Sequence, residues 1–190
     1  MKRLRDYFTK EEILTVPNLL SCVRLALIPL CVYTYIGRQN YPLTAALVVF
    51  SALTDIVDGW IARRFQQTSD LGKALDPFAD KLTQIVVLFC LAIRYPYLLG
   101  LGILLCLKEL CSAVASIVAV KKTGEVKGAR WHGKITTVAI YTTIMLHLLW
   151  VNIPTVSSYF LVGVCLALML LSFILYMTEH ISRTLKARKK

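Results

Sequence analysis

The sequence predicts an all-α, polytopic membrane protein with six transmembrane helices and both termini in the cytoplasm. Three observations carry that expectation. Of the 190 residues, 57% are hydrophobic and 17% charged, with a mean hydropathy of +0.63, which is far more apolar than a water-soluble domain. Uncharged apolar stretches recur along the whole length, so they read as bilayer crossings rather than as one N-terminal leader. Basic residues are distributed unequally on the two sides of those stretches.

The spans run over 16–36, 43–62, 77–93, 98–120, 135–151 and 156–177. On one side, the linkers 37–42, 94–97 and 152–155 hold two basic residues, Arg38 and Arg94. The other side holds Lys2, Arg3, Arg5 and Lys10, then Arg63, Arg64 and Lys73, then Lys121, Lys122, Lys127, Arg130 and Lys134, then the run Arg183 to Lys190. The positive-inside rule puts that second side in the cytoplasm, and two cytoplasmic termini require an even number of spans. Residues 1–190 form a single membrane domain, because this length holds six spans of about 20 residues but no separate extramembrane domain. Residues 1–15 read as an interfacial segment or a solvated tail, and 178–190 as a basic tail that sets topology and meets the lipid surface.

The net charge of +11 is arranged around membrane spans. It therefore points to orientation and to anionic membrane lipids rather than to nucleic acid. Cys22, Cys31, Cys90, Cys106, Cys111 and Cys165 form no CxxC or Cys/His cluster and read as small apolar packing residues. His132 reads as an interfacial loop residue, His147 as a packed span residue and His180 as part of the basic tail, none of them catalytic.

From Ile13 through Lys108 the only acidic residues are Asp55, Asp58, Asp70, Asp76 and Asp80. Ser69-Asp70 resembles a helix cap. The other four are i, i+3 on the second span and i, i+4 on the third, so each pair projects from one helical face. Neighbouring antiparallel helices would bring the pairs together at their cytoplasmic ends. Even one isolated charge near hydrocarbon costs several kcal/mol, so four carboxylates there require cations. Oxygen donors without histidine or thiol favour Mg²⁺ or Mn²⁺. Two ions about 4 Å apart would balance the charge and suit displacement at phosphorus.

The segment Asp55-Ile-Val-Asp58-Gly59-Trp-Ile-Ala62-Arg63, then Gly72-Lys-Ala-Leu-Asp76-Pro-Phe-Ala-Asp80, resembles the signature of the CDP-alcohol phosphotransferase family at every fixed position. The resemblance implies six spans, a CDP-linked lipid substrate and an active site facing the cytoplasm. It also implies that Asp55, Asp58 and Asp76 are metal ligands, and that Asp80 both touches metal and accepts the proton of the attacking hydroxyl. Gly59, Arg63 and Ser69 stand at positions similar to the family's CDP-binding ones. Small Ala62 would keep that helix face open, and Gly72 would permit a close approach before the second aspartate pair. Arg63 can also contact a pyrophosphate bidentately. The family chemistry is release of CMP from CDP-diacylglycerol as a small alcohol attacks phosphorus, with no covalent intermediate. The resemblance leaves room for a homodimer.

At the first span, Pro17-Asn18-Leu19-Leu20-Ser21-Cys-Val-Arg24 resembles an element of bacterial phosphatidylglycerophosphate synthases and cardiolipin synthases, with Ser21 replacing threonine. It assigns Asn18, Leu19, Leu20 and Ser21 to the CDP-lipid and a bacterial cell membrane to the protein; a helix cap at Asn18 and a topology-setting Arg24 are the alternative. Leu75-Asp76-Pro77-Phe78-Ala79-Asp80-Lys81 resembles the same enzymes. Gly133-Lys134-Ile-Thr136-Thr137 is similar to their Gly-Lys-x-Lys-Thr element, with Thr136 where lysine is expected. Lys108, Lys121, Lys122, Lys127, Arg130, His132 and Lys134 could form a cationic pocket for glycerol 3-phosphate, with Arg130 and Lys134 as the named contacts. Phosphatidylglycerol as acceptor, giving cardiolipin, is the second expectation, and a metal or solute transporter with intramembrane aspartates is the reading of a different class.

Overall fold

The computed structural model describes residues 16–65, 70–123 and 131–188, with side chains described over 19–57, 78–115, 131 and 133–178. Six α-helices are present among the described residues: α1 Val16–Val32, continued by a π-helical turn Tyr33–Gly37, α2 Tyr41–Phe65, α3 Asp70–Arg94, α4 Leu98–Thr123, α5 Trp131–Leu149 and α6 Thr155–Arg188. No strand is found among them. The expected all-α class and helix order hold, while several bounds differ. α3 starts at Asp70 rather than at Pro77, since helix continues past the end of the apolar stretch on which the span was read. For the same reason α6 runs to Arg188 instead of Met177, so residues 178–188 of the expected tail are helical.

Three helices are long and apolar enough to cross a bilayer, over Leu19–Gly37, Leu98–Ala115 and Thr155–Thr178, and shorter apolar stretches lie at Tyr41–Val57 and Gly133–Leu149. Their outward faces are apolar: Val156 is 81% exposed, Phe160 71% and Val138 64%. In water that would be a large uncompensated apolar surface, whereas a bilayer solvates it. The chain is an integral membrane protein. Threonines inside the helices are satisfied locally, as the Thr34, Thr54, Thr83 and Thr143 hydroxyls donate to carbonyls three or four residues back. They therefore lie in a low-dielectric setting with no unmet donor.

The chain divides into two compact units, Met1–Cys90 and Leu91–Lys190. In the first, α1 packs along α2. The connection is tight: the Asn40 side chain accepts from Leu43 N at 3.1 Å as an N-cap of α2, and the Thr34 and Thr44 hydroxyls meet at 2.9 Å. Gly37 closes the π-helical turn, where a Cβ would come within 3.2 Å of the Tyr33 ring. An apolar groove of about 640 Å³ follows the later turns of α1, lined by Pro29, Val32, Tyr33 and Ile36 with Val86 of α3.

In the second unit, α6 packs on α4 and α5 around Leu101, Leu105, Ile140, Ile144, Cys165 and Met169, all buried. One end of this unit is tied by a polar chain. His147 Nδ1 faces the Thr143 carbonyl at 2.7 Å, so that nitrogen carries the proton, and Nε2 accepts from Ser158 Oγ at 2.6 Å. Ser158 in turn bonds the Tyr97 hydroxyl. Arg94 and the Tyr95 hydroxyl both donate to the Val151 carbonyl. His147 is thus a buried, bonded span residue, as expected. All six cysteines are free thiols, Cys31, Cys90 and Cys165 among them buried.

Candidate active site

Four carboxylates occupy two helices. Asp55 and Asp58 lie on α2, and Asp76 and Asp80 on α3. At 3.6 residues per turn these spacings keep each pair within about 60° of arc. Side chains are described for Asp55 and Asp80; those of Asp58 and Asp76, together with those of Asn18, Ala62 and Arg63, the surroundings of Gly59 and Gly72, and the whole of Ser69 and Arg130, lie outside the described residues. Lys127, the side chains of Lys121 and Lys122 at the end of α4, and the ring of His132 lie outside them too.

Asp55 is held by α1. Arg24 Nη1 lies 3.0 Å from Asp55 Oδ1, with the arginine side chain 1% exposed and the carboxylate 43% exposed. A buried guanidinium whose counter-ion stays open to solvent presents positive charge to whatever approaches that carboxylate. Arg24 is therefore not a surface residue that merely biases topology. Ser21, one turn earlier on the same helix, is fully buried, whereas Leu19 is 62% exposed. Of the three residues of the Asn18 to Ser21 element whose side chains are described, Ser21 is the buried one. Asn18 lies inside α1, so the capping alternative does not hold for it.

Asp80 is held within α3. Its Oδ2 accepts from Gln84 Nε2 at 3.1 Å and lies 4.0 Å from Lys81 Nζ, which is also 3.4 Å from Gln84 Oε1. Asp76, Asp80 and Gln84 succeed one another at intervals of four and form one stripe of α3. Gln84 is fully buried. Sequence reasoning passed over it because an uncharged amide carries no motif weight; its i, i+4 spacing from Asp80 was the available signal.

Among the described residues no three His, Cys, Asp or Glu side chains gather as a metal-holding group. The donor chemistry of the stripe still fits a hard divalent cation, since the candidate ligands are carboxylates on two helices without thiol or imidazole. The two described carboxylates each have a cationic neighbour, Arg24 at Asp55 and Lys81 at Asp80.

The expected acceptor residues fall in the second unit. Lys134 is exposed on the first turn of α5. Lys108 does not join it as a solvent-facing cation: it is buried in α4 and pairs with Glu109 at 2.9 Å, an acidic residue that the sequence reading did not weigh. Thr136 is buried, with its hydroxyl 3.4 Å from the Leu168 carbonyl of α6. This position faces a neighbouring helix, which accounts for an uncharged residue there.

Comparison with known proteins bears on all these residues at once. The family model described as CDP-alcohol phosphatidyltransferase matches residues 14–181. An Aquifex aeolicus CDP-diacylglycerol–glycerol-3-phosphate 3-phosphatidyltransferase is 48% identical over 69 residues, covering 36% of this chain and 38% of the relative. The equivalent Pectobacterium atrosepticum enzyme is 45% identical over 82 residues, 42% of this chain and 45% of the relative. A Schizosaccharomyces pombe cardiolipin synthase (CMP-forming)/mitochondrial hydrolase fusion protein is 44% identical over 86 residues, 45% of this chain and 14% of the relative. The matched segment thus spans less than half the length of each of these relatives.

Proposed function

This chain belongs to the CDP-alcohol phosphatidyltransferase family, and from that premise we propose that it transfers the phosphatidyl group of CDP-diacylglycerol to glycerol 3-phosphate, releasing CMP and forming phosphatidylglycerol phosphate. The observation that carries this reading is the complete set of signature residues, Asp55, Asp58, Gly59, Ala62, Arg63, Gly72, Asp76 and Asp80, on two successive helices of a chain matched by the family over nearly its whole length.

Each residue has a task in this mechanism. Asp55, Asp58, Asp76 and Asp80 would hold Mg²⁺ or Mn²⁺, as two ions, which would offset charge on the pyrophosphate and on departing CMP. Asp80 takes the proton from the acceptor hydroxyl as its oxygen attacks the lipid-side phosphorus. That bond forms as the bond to the CMP oxygen breaks, so the transfer is one direct displacement. Arg63 supplies guanidinium donors to the pyrophosphate, and Arg24, buried against Asp55, holds that carboxylate in place. Ser21 and the Asn18 to Leu20 turn bind the CDP-lipid from α1, Gly59 and Ala62 leave room for the nucleotide, Ser69 contacts it, and Gly72 permits a close approach before the second aspartate pair. Lys134 and Arg130 contact the acceptor phosphate. The site faces the cytoplasm of a bacterial cell, where CDP-lipid and glycerol 3-phosphate meet, and anionic lipids surround the basic ends.

Phosphatidylglycerol as acceptor is the second reading. It is favoured by the yeast relative's cardiolipin synthase name and by Thr136, which removes one cation from the expected acceptor element. Purified protein in detergent with radiolabelled CDP-diacylglycerol, Mg²⁺ or Mn²⁺, and a panel of glycerol 3-phosphate, phosphatidylglycerol, serine and inositol 1-phosphate tests both. Substantial product lipid from glycerol 3-phosphate alone is the expected result. Product from phosphatidylglycerol with none from glycerol 3-phosphate would replace the acceptor. Metal uptake into liposomes with no CMP from any acceptor would replace the reaction class by transport.

A further inference from the structure

Gln84 is the one fully buried amide side chain among the described residues of the first unit, and a transmembrane helix has no packing need for it. Leucine would fill a similar volume without having to satisfy a donor and an acceptor away from water, which costs about 1–3 kcal/mol for each polar group left unmet. Both ends of this amide are engaged. Nε2 donates to Asp80 Oδ2 at 3.1 Å, and Oε1 accepts from Lys81 Nζ at 3.4 Å.

The charges at the two ends fix which way the amide points. Turned over, its NH₂ would meet an ammonium and its carbonyl a carboxylate, repulsive at both ends. Lys81 therefore sets the amide, and the amide sets one oxygen of Asp80. The three residues lie within four positions of a single helix, so these contacts form within α3.

We propose that Gln84 is a positioning residue for Asp80, fixing the rotamer in which that carboxylate receives the acceptor's proton. The inference rests on the reading of Asp80 as the general base. An aspartate has two rotatable bonds, and a base must sit within hydrogen-bond reach of the proton it takes. Gln84 contributes by holding Asp80 in the productive geometry before the acceptor arrives. It touches neither substrate, so its loss acts on turnover and leaves binding of the CDP-lipid in place.

The test is a mutant cycle on the full chain in detergent, comparing wild type, Gln84→Met, Asp80→Asn and the double variant, with CMP release followed at steady state over a range of CDP-diacylglycerol concentrations. Methionine keeps the length and volume of glutamine and removes the donor. Gln84→Met is expected to lower kcat about tenfold or more, the usual effect of losing a partner that orients a catalytic ligand, with the KM for CDP-diacylglycerol within about twofold of wild type. In the Asp80→Asn background the same substitution is expected to have no further effect, because the residue it acts through is gone. Should Gln84→Met fail to fold, Gln84→Asn carries the same comparison. It keeps the polarity and falls short of Asp80.

A kcat for these variants equal to wild type would overturn the proposal. So would an equal fold-loss in the wild-type and Asp80→Asn backgrounds, which is what a merely structural residue gives. If wild type and Asp80→Asn turned over alike, the base assignment itself would fall, and this inference with it. That result is distinct from an active wild type, an inactive Asp80→Asn and an unaffected Gln84→Met, which removes the Gln84 inference alone.

Discussion

Arg24 and Asp55 join α1 to α2 through a 3.0 Å ion pair in which the arginine is buried and the aspartate remains 43% exposed. The asymmetry gives the two members different consequences. Asp55→Asn removes the charge of the carboxylate that pairs with buried Arg24 and should cost about 2 kcal/mol, less than a fully buried pair because Asp55 is partly solvated. It should also abolish turnover. Arg24→Leu removes the buried charge together with its desolvation cost, so its apparent melting temperature should stay nearer wild type while the KM for CDP-diacylglycerol rises. Thermal unfolding in detergent alongside initial rates checks both. A larger loss of stability from Arg24→Leu than from Asp55→Asn would contradict the account of the pair.

Asp80 and Asp70 lie on the same helix and should behave oppositely. Asp80→Asn keeps a group that can bond Gln84 but cannot accept a proton, so turnover should fall by about 10² to 10⁴ while CDP-lipid binding largely survives. Asp70 is the first described residue of α3, and the sequence reads Ser69-Asp70 as a helix cap, so Asp70→Asn should leave kcat within about twofold and stability within about 1 kcal/mol. Rates and equilibrium binding of CDP-diacylglycerol, measured on the two variants together, separate the roles.

Removal of divalent ions with a chelator should abolish CMP release without dispersing the helices, and Mg²⁺ or Mn²⁺ should restore it. Ca²⁺, a hard cation with longer bonds and looser geometry, should compete with Mg²⁺ and inhibit. Circular dichroism and CMP release read on the same samples give the result, and full activity after exhaustive chelation would rule out the metal assignment.

The second unit makes a prediction about the acceptor. Lys134→Ala, at an exposed position, should raise the KM for glycerol 3-phosphate about tenfold with little change for CDP-diacylglycerol, the loss expected when one charge-assisted contact is removed. Thr136→Lys should not improve acceptor binding. Its side chain is buried against α6, where an ammonium would cost several kcal/mol, and the variant should be recovered in lower yield with a lower melting temperature.

Ser158 is the hub of the polar chain from Tyr97 to His147. Ser158→Ala leaves Nε2 of a buried imidazole without its donor and should destabilise the protein by about 1–3 kcal/mol. The acceptor preference should be unchanged. A melting temperature equal to wild type would show that the chain contributes nothing to stability.

Much of this protein can be read from one dimension. Whether a stretch forms a helix of bilayer length depends on its own length and apolarity, so the six helices, three of them long and apolar enough to cross a bilayer, the connections at 37–42, 94–97 and 152–155 and the two aspartate pairs were legible directly. Gln84 could have been found by the same i, i+4 spacing that pairs Asp76 with Asp80, and was missed because an amide has no charge to draw notice. The remaining features depended on which helix faces meet. Arg24 read equally well as a topology signal until α1 and α2 came together and buried it against Asp55. Thr136 looked like a lost lysine until α6 was seen to cover it, and His147 gained its meaning from Ser158 on the next helix. Spacing within a helix is set by the local backbone repeat, whereas contact between helices is set by the packing of side chains far apart in sequence, and only the tertiary structure carries that information.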